Sequence, residues 1–184
     1  MKKFNYVLLL SFVFLLIAGC SKLDTQPDLL NSSDDVTLKK GKKHPVPFKS
    51  KFAVWGVSEV PIFSDDPEIV DPIGMHLIVE GSGNATHMGK TKLIIDEDFY
   101  FMPPPNNFPL LAVITFISAN KDEVYADFTG YIVPTFPNIT IYGEGIINGG
   151  TGRFEDANGI LELNAKFDTD LGEGESFFTG EIMY

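Results

Sequence analysis

Asn148-Gly149-Gly150-Thr151-Gly152-Arg153-Phe154-Glu155-Asp156-Ala157-Asn158-Gly159 is the stretch whose reading decides the fold. Gly149, Gly150 and Gly152 supply the positive φ and close backbone approach that a connection between two strands requires. Phe154 and Ala157 are apolar positions that return to a core, and Asn158-Gly159 is a favoured hairpin dipeptide that opens a further strand. Gly-Gly-Thr-Gly also has the look of a phosphate-cradling loop. Such a loop needs a helix N-terminus behind it, and the segment that follows has no helical character. Gly149, Gly150, Gly152, Phe154 and Gly159 are therefore read as a structural turn.

Outward from this turn the chain is a series of short β-branched and aromatic runs punctuated by Gly, Pro, Asn and Asp, the texture of an all-β domain. Phe48, Phe52 and Val54 alternate with Lys49 and Lys51 in a first strand. Met75 to Glu80 reads as a second, ended by Gly81-Ser82-Gly83, and Thr91 to Ile95 as a third. Asp96-Glu97-Asp98 then marks a turn or strand edge of solvated acids before Phe99-Tyr100-Phe101. Pro103-Pro104-Pro105 cannot donate to a ladder and is a loop. Leu110 to Ser118 is nearly continuous in apolar residues, which predicts burial on both faces. Glu123 to Val133 alternates, and Ile139 to Ile147, Gly159 to Phe167 and Ser176 to Tyr184 complete about eight strands over residues 47–184. Eight antiparallel strands on short turns predict a closed barrel, with a two-sheet β-sandwich as the alternative.

The Gly-Gly-Thr-Gly-Arg-Phe-x-x-Ala-x-Gly pattern resembles the signature of dirigent proteins, allene oxide cyclase barrels and secreted bacterial proteins of the same build. Two elements that the bacterial proteins carry have counterparts here: Thr86-His87-Met88-Gly89-Lys90 and the turn Ala119-Asn120-Lys121-Asp122-Glu123. The resemblance covers roughly Phe48 to Tyr184 and implies an eight-stranded antiparallel barrel, with homo-oligomers occurring in the family. It implies no catalytic residue here, because the shared signature builds a turn and the lumenal acidic and basic residues of plant dirigent proteins have no assigned counterparts. An isomerase- or cyclase-type activity rests on fold analogy alone.

The other end of the chain gives an address. Lys2 and Lys3 precede an apolar run from Tyr6 to Ile17, and Ala18-Gly19 present a cleavage site directly before Cys20, the single cysteine. Leu16-Ile17-Ala18-Gly19-Cys20 resembles a bacterial lipobox. Residues 1–19 are thus expected to be a lipoprotein signal peptide, Cys20 the lipidated and acylated (palmitate-bearing) residue, and 20–46 a disordered tether holding the barrel to a membrane. Ser21 at the second mature position points to the outer membrane of the bacterial cell envelope. Removing residues 1–19 takes away two of the 14 basic residues and none of the 25 acidic ones. Such an acidic body argues against nucleic acid as a partner.

The histidines, His44, His76 and His87, lack metal-ligand spacing, and Gly-x-Ser-x-Gly does not occur, so no cofactor, metal or catalytic residue is assigned. Asp65-Asp66-Pro67-Glu68 with Asp71 is read as a solvated acidic loop. His87, Trp55 and Tyr125 stand as weak ligand candidates. Trp55, Phe99, Tyr100, Phe101, Phe108, Phe116, Tyr125, Phe128 and Tyr131 offer an aromatic lining for a lumen. An eight-stranded barrel is just wide enough to be filled by its side chains or to hold one small apolar ligand, and filling is the expectation. The expected function is a lipid-anchored, non-catalytic binding or structural module, with a small-ligand binder and a cyclase-type enzyme as alternatives.

Overall fold

The computed structural model describes residues 44–184; the signal peptide, Cys20 and nearly all of the tether expected over 20–46 lie outside these described residues. Eight strands follow in chain order: β1 (Val46–Ile62), β2 (Gly74–Ala85), β3 (Gly89–Tyr100), β4 (Phe108–Ser118), β5 (Glu123–Val133), β6 (Asn138–Gly150), β7 (Asn158–Asp168) and β8 (Glu173–Met183). Each pairs antiparallel with its sequence neighbour, and β1 closes on β8 with Phe52 opposite Ser176. Closure excludes the sandwich and leaves the sheet without a free edge.

A single closed sheet has one face inside and one in solvent, and that geometry overrides three local expectations. Leu110 to Ser118 forms β4 but is not buried on both faces: Leu111 and Val113 are 55% and 52% exposed, because their parity puts them outside. Gly81-Ser82-Gly83 does not end a strand. It lies within β2, where Gly83 passes so close to β1 that a Cβ there would sit 1.9 Å from the Lys51 carbonyl oxygen. Asp96-Glu97-Asp98 is no turn either, since β3 runs through it in unbroken register with β2. Asp96 and Asp98 face outward to His76, whose Nδ1 is 2.8 Å from Asp98 Oδ1, while Glu97 faces inward and is 6% exposed.

The two ends of the barrel differ. One end gathers the β2–β3 turn at Thr86–Met88, the β4–β5 turn at Ala119–Asp122 and the β6–β7 connection. Beneath them Phe48, Phe52, Phe116 and Phe178 fill the bore, with the Phe116–Phe178 centroids 5.1 Å apart and Phe48–Phe116 5.4 Å apart, both edge to face. These large rings bury the most apolar area per residue and add edge-to-face attraction of about 0.5–1.5 kcal/mol per pair. Phe154, in a 3-10 turn spanning Gly152–Phe154, is wholly buried and packs on Tyr184 at 4.8 Å. The opposite end carries the longer β1–β2, β3–β4, β5–β6 and β7–β8 connections.

Candidate ligand-binding cavity

Away from the aromatic plug the bore is open. A cavity of about 610 Å³ enters it at the end with the longer connections, within the range of small-molecule sites. The expectation of a lumen filled along its length is thus corrected: large rings occupy one half only. The walls of the other half come from alternating apolar residues, among them Leu77, Val79, Ile95, Ile141, Leu163 and Ala165. Strand period explains this lining, because every second residue of a barrel strand faces the lumen.

Along β3 the inward parity continues Ile95, Glu97 and Phe99, and Phe101 follows just beyond the strand. Phe99 stacks on Phe108 at 6.1 Å with 3° between the rings, and Phe101 meets both edge to face at 5.6 and 5.7 Å. The three rings form a collar beside Glu97. The register neighbours of Glu97 are Leu77 on β2 and Ala112 on β4, neither of which can neutralise or hydrate a carboxylate. Burial accordingly pushes its pKa up to about 7. Among the described residues none donates a hydrogen bond to it or pairs with it as a cation.

On the far wall Ser176 is 1% exposed, and its Oγ has no hydrogen-bond partner among the described residues. It stands between Phe52 and Ala165 and borders the cavity. Ser50 Oγ, deeper in the plugged half, is likewise unpartnered. Glu59, Lys166 and Asp170 are the further ionisable lining residues, all on exposed positions of the open half.

The residues singled out from sequence fall elsewhere. Trp55 follows inward-facing Val54 and is 39% exposed on the outer surface. Tyr125 lies on the outward parity of β5 and donates through its hydroxyl to Glu123 Oε2 at 2.5 Å, a bond that raises its pKa. His87 occupies the β2–β3 turn at φ 66, with Nε2 3.1 Å from the Pro47 carbonyl oxygen, at the closed end. None of the three borders the cavity. Of the nine candidate lining aromatics, Phe99, Phe101 and Phe108 do; Phe116 and Phe128 lie in the packed core, and Tyr131 is 50% exposed outside. Glu97 and Ser176 were not singled out. The signal for Glu97 was available as parity, since Leu93, Ile95, Glu97 and Phe99 keep one period of two through the acidic triplet.

The structural turn sits at the closed end, away from the cavity. Gly149 and Gly152 hold φ of 141° and 58°. Gly150 is required for a different reason: a Cβ there would lie 2.1 Å from the Glu123 carbonyl oxygen. At Gly159 it would lie 2.1 Å from the Glu181 carbonyl oxygen.

No protein-family model matches this chain, and no curated protein matches it. Solved structures do. The pterocarpan synthase dirigent protein superposes with a TM-score of 0.52 over 84% of this chain and 99% of its own, at 13% sequence identity. The chain therefore has the fold of a dirigent-type, closed eight-stranded barrel.

Proposed function

We propose that this protein is a binding module whose half-open barrel takes one small, largely apolar ligand, and that a lipid on Cys20 holds it to the bacterial cell envelope. The observation that carries the first part is the cavity of about 610 Å³, walled by apolar side chains and holding one buried carboxyl, Glu97, that pairs with no cation among the described residues. Buried polar groups normally find a partner in the protein, in ordered water or in a ligand. A cavity with apolar walls and one such carboxyl has the composition of a ligand site, with apolar surface for affinity and few polar groups for orientation. The anchoring part rests on the lipobox-like Leu16-Ile17-Ala18-Gly19-Cys20, and outer-membrane placement rests on Ser21.

Native mass spectrometry of the full chain purified from its own cells tests the binding part. A small organic molecule retained at one per chain is the expected result. A chain of bare protein mass that also fails to take up a neutral apolar probe would overturn it.

Glu97 favours one second reading. A carboxyl with a pKa of about 7 is matched to proton transfer near neutrality, as an isomerase- or cyclase-type reaction would need. Turnover of a bound ligand that is lost in Glu97→Gln while binding persists would establish that reading over simple binding.

A further inference from the structure

We propose that the ligand of this cavity carries a protonated amine, seated between the Glu97 carboxylate and the collar of Phe99, Phe101 and Phe108. This rests on the reading of the open lumen as a ligand site and names the chemistry that the site selects.

Three features of the cavity converge on a cation. First, Glu97 is 6% exposed, between Leu77 and Ala112, and is paired with no cation among the described residues. A carboxylate in apolar surroundings is costly unless a counter-charge arrives, and here the space in front of it is left for a ligand to fill. Second, Phe99 follows Glu97 on the same inward face, Phe101 lines the cavity just beyond the strand, and Phe108 stacks on Phe99 at 6.1 Å. Ring faces attract ammonium groups and repel anions, so the collar and the carboxylate favour the same sign of charge. Third, the exposed ionisable lining residues are Glu59, Asp170 and Lys166, two acids to one base, on a chain with 25 acidic and 14 basic residues. A negative field focused by apolar walls draws cations into such a mouth.

The geometry also orders the ligand. Apolar walls at Val79, Ile141 and Leu163 suit a hydrocarbon or aromatic body, with the amine directed to the β3 side. A neutral acceptor such as a ketone is the rival chemistry. It would bind the protonated form of Glu97, and it would bind best at low pH, the opposite of an amine.

Calorimetric titration of the full chain with 4-phenylbutylamine and with 4-phenylbutan-1-ol separates these cases, since the two share a skeleton and differ in charge. Near pH 8 the amine is expected to bind about tenfold or more tightly than the alcohol, as a charge-assisted hydrogen bond in a desolvated site would give. Glu97→Gln should remove that advantage and leave the alcohol within about twofold, while Glu162→Gln, on the outer face, should change neither. In the unsubstituted chain the amine should bind about tenfold or more weakly near pH 5.5 than near pH 8, with the alcohol unchanged. That second comparison decides the matter even if Glu97→Gln fails to fold. The other ionisable groups facing the cavity are Glu59, Asp170 and Lys166, and His76 with Asp96 and Asp98 faces outside. Equal binding of amine and alcohol at both pH values overturns the amine inference and leaves the cavity as a ligand site. Binding of neither probe overturns both.

Discussion

Arg153 reaches across the closed end of the barrel to Asp122, with Nε 3.6 Å from Oδ2, and its Nη2 donates to the His87 carbonyl oxygen. Three sequence elements far apart in the chain, around His87, Asp122 and Arg153, thus meet in one knot. Backbone and side chain reinforce it: Thr151 N donates to the Glu123 carbonyl oxygen at 3.0 Å, and Glu123 N donates to Thr151 Oγ1 at 3.0 Å. The three elements singled out in the sequence are therefore those that seal one end. Their contacts close the barrel at the end away from the cavity.

Gly152→Val tests that structural role. Gly152 holds φ 58°, and a Cβ would lie 2.1 Å from Asp122 Oδ1. The substitution should cost on the order of 1–3 kcal/mol through backbone strain and displacement of the Asp122 carboxylate. Thermal unfolding should report the loss, while affinity for a neutral apolar probe, corrected for the folded fraction, should stay as it was. An unchanged melting temperature with lost binding would place this turn in the site.

Glu97→Gln should stabilise the protein increasingly as the pH rises from about 4.5 to 7, and by a constant amount above. Burial raises the Glu97 pKa to about 7. An acid whose pKa is higher folded than unfolded binds its proton more tightly in the native state, so native stability falls as pH rises. The penalty is absent below the unfolded value near 4.5, grows between there and about 7, and is constant above. Removing the charge should therefore gain up to about 3 kcal/mol above pH 7 and almost nothing near pH 4. Denaturant unfolding at the two pH values checks this. A variant less stable than the parent at high pH would mean that the carboxylate has a stabilising partner.

Cys20→Ser should release the protein from the membrane fraction or leave its signal peptide uncleaved, because the lipid would have no thiol to attach to. Metabolic labelling with a radioactive fatty acid, followed by fractionation, reads both. Equal labelling of parent and variant would remove Cys20 as the anchor.

The fold was legible because its signals are local and repeated. Val124, Ala126 and Phe128 alternate with Tyr125, Asp127 and Thr129, and Asn158-Gly159 enters a strand, so period two and turn chemistry sufficed. The cavity was not legible, because an open bore depends on which residues meet across the barrel. Phe48, Phe52, Phe116 and Phe178 converge at one end, while Val79, Ile141 and Ala165 line the other, and no single strand shows that division. Glu97 was hidden by its neighbours: between two aspartates it reads as solvated acid, and only the register with Ile95 and Phe99 turns it inward. Trp55 misled for the converse reason, since a large ring attracts attention although its parity puts it outside.

The most direct measurement of the central claim, that the open half of the lumen is the ligand site, is calorimetric titration of the full chain and of Ala165→Phe with 4-phenylbutan-1-ol. Ala165 is 5% exposed and lines the cavity beside Ser176, so an added ring would enter the empty space as further core and leave the outer surface unaltered. The account predicts one site in the parent, loss of binding by about tenfold or more in Ala165→Phe, and an equal or higher melting temperature for that variant. Equal binding by both chains, or no binding by the parent, would contradict it.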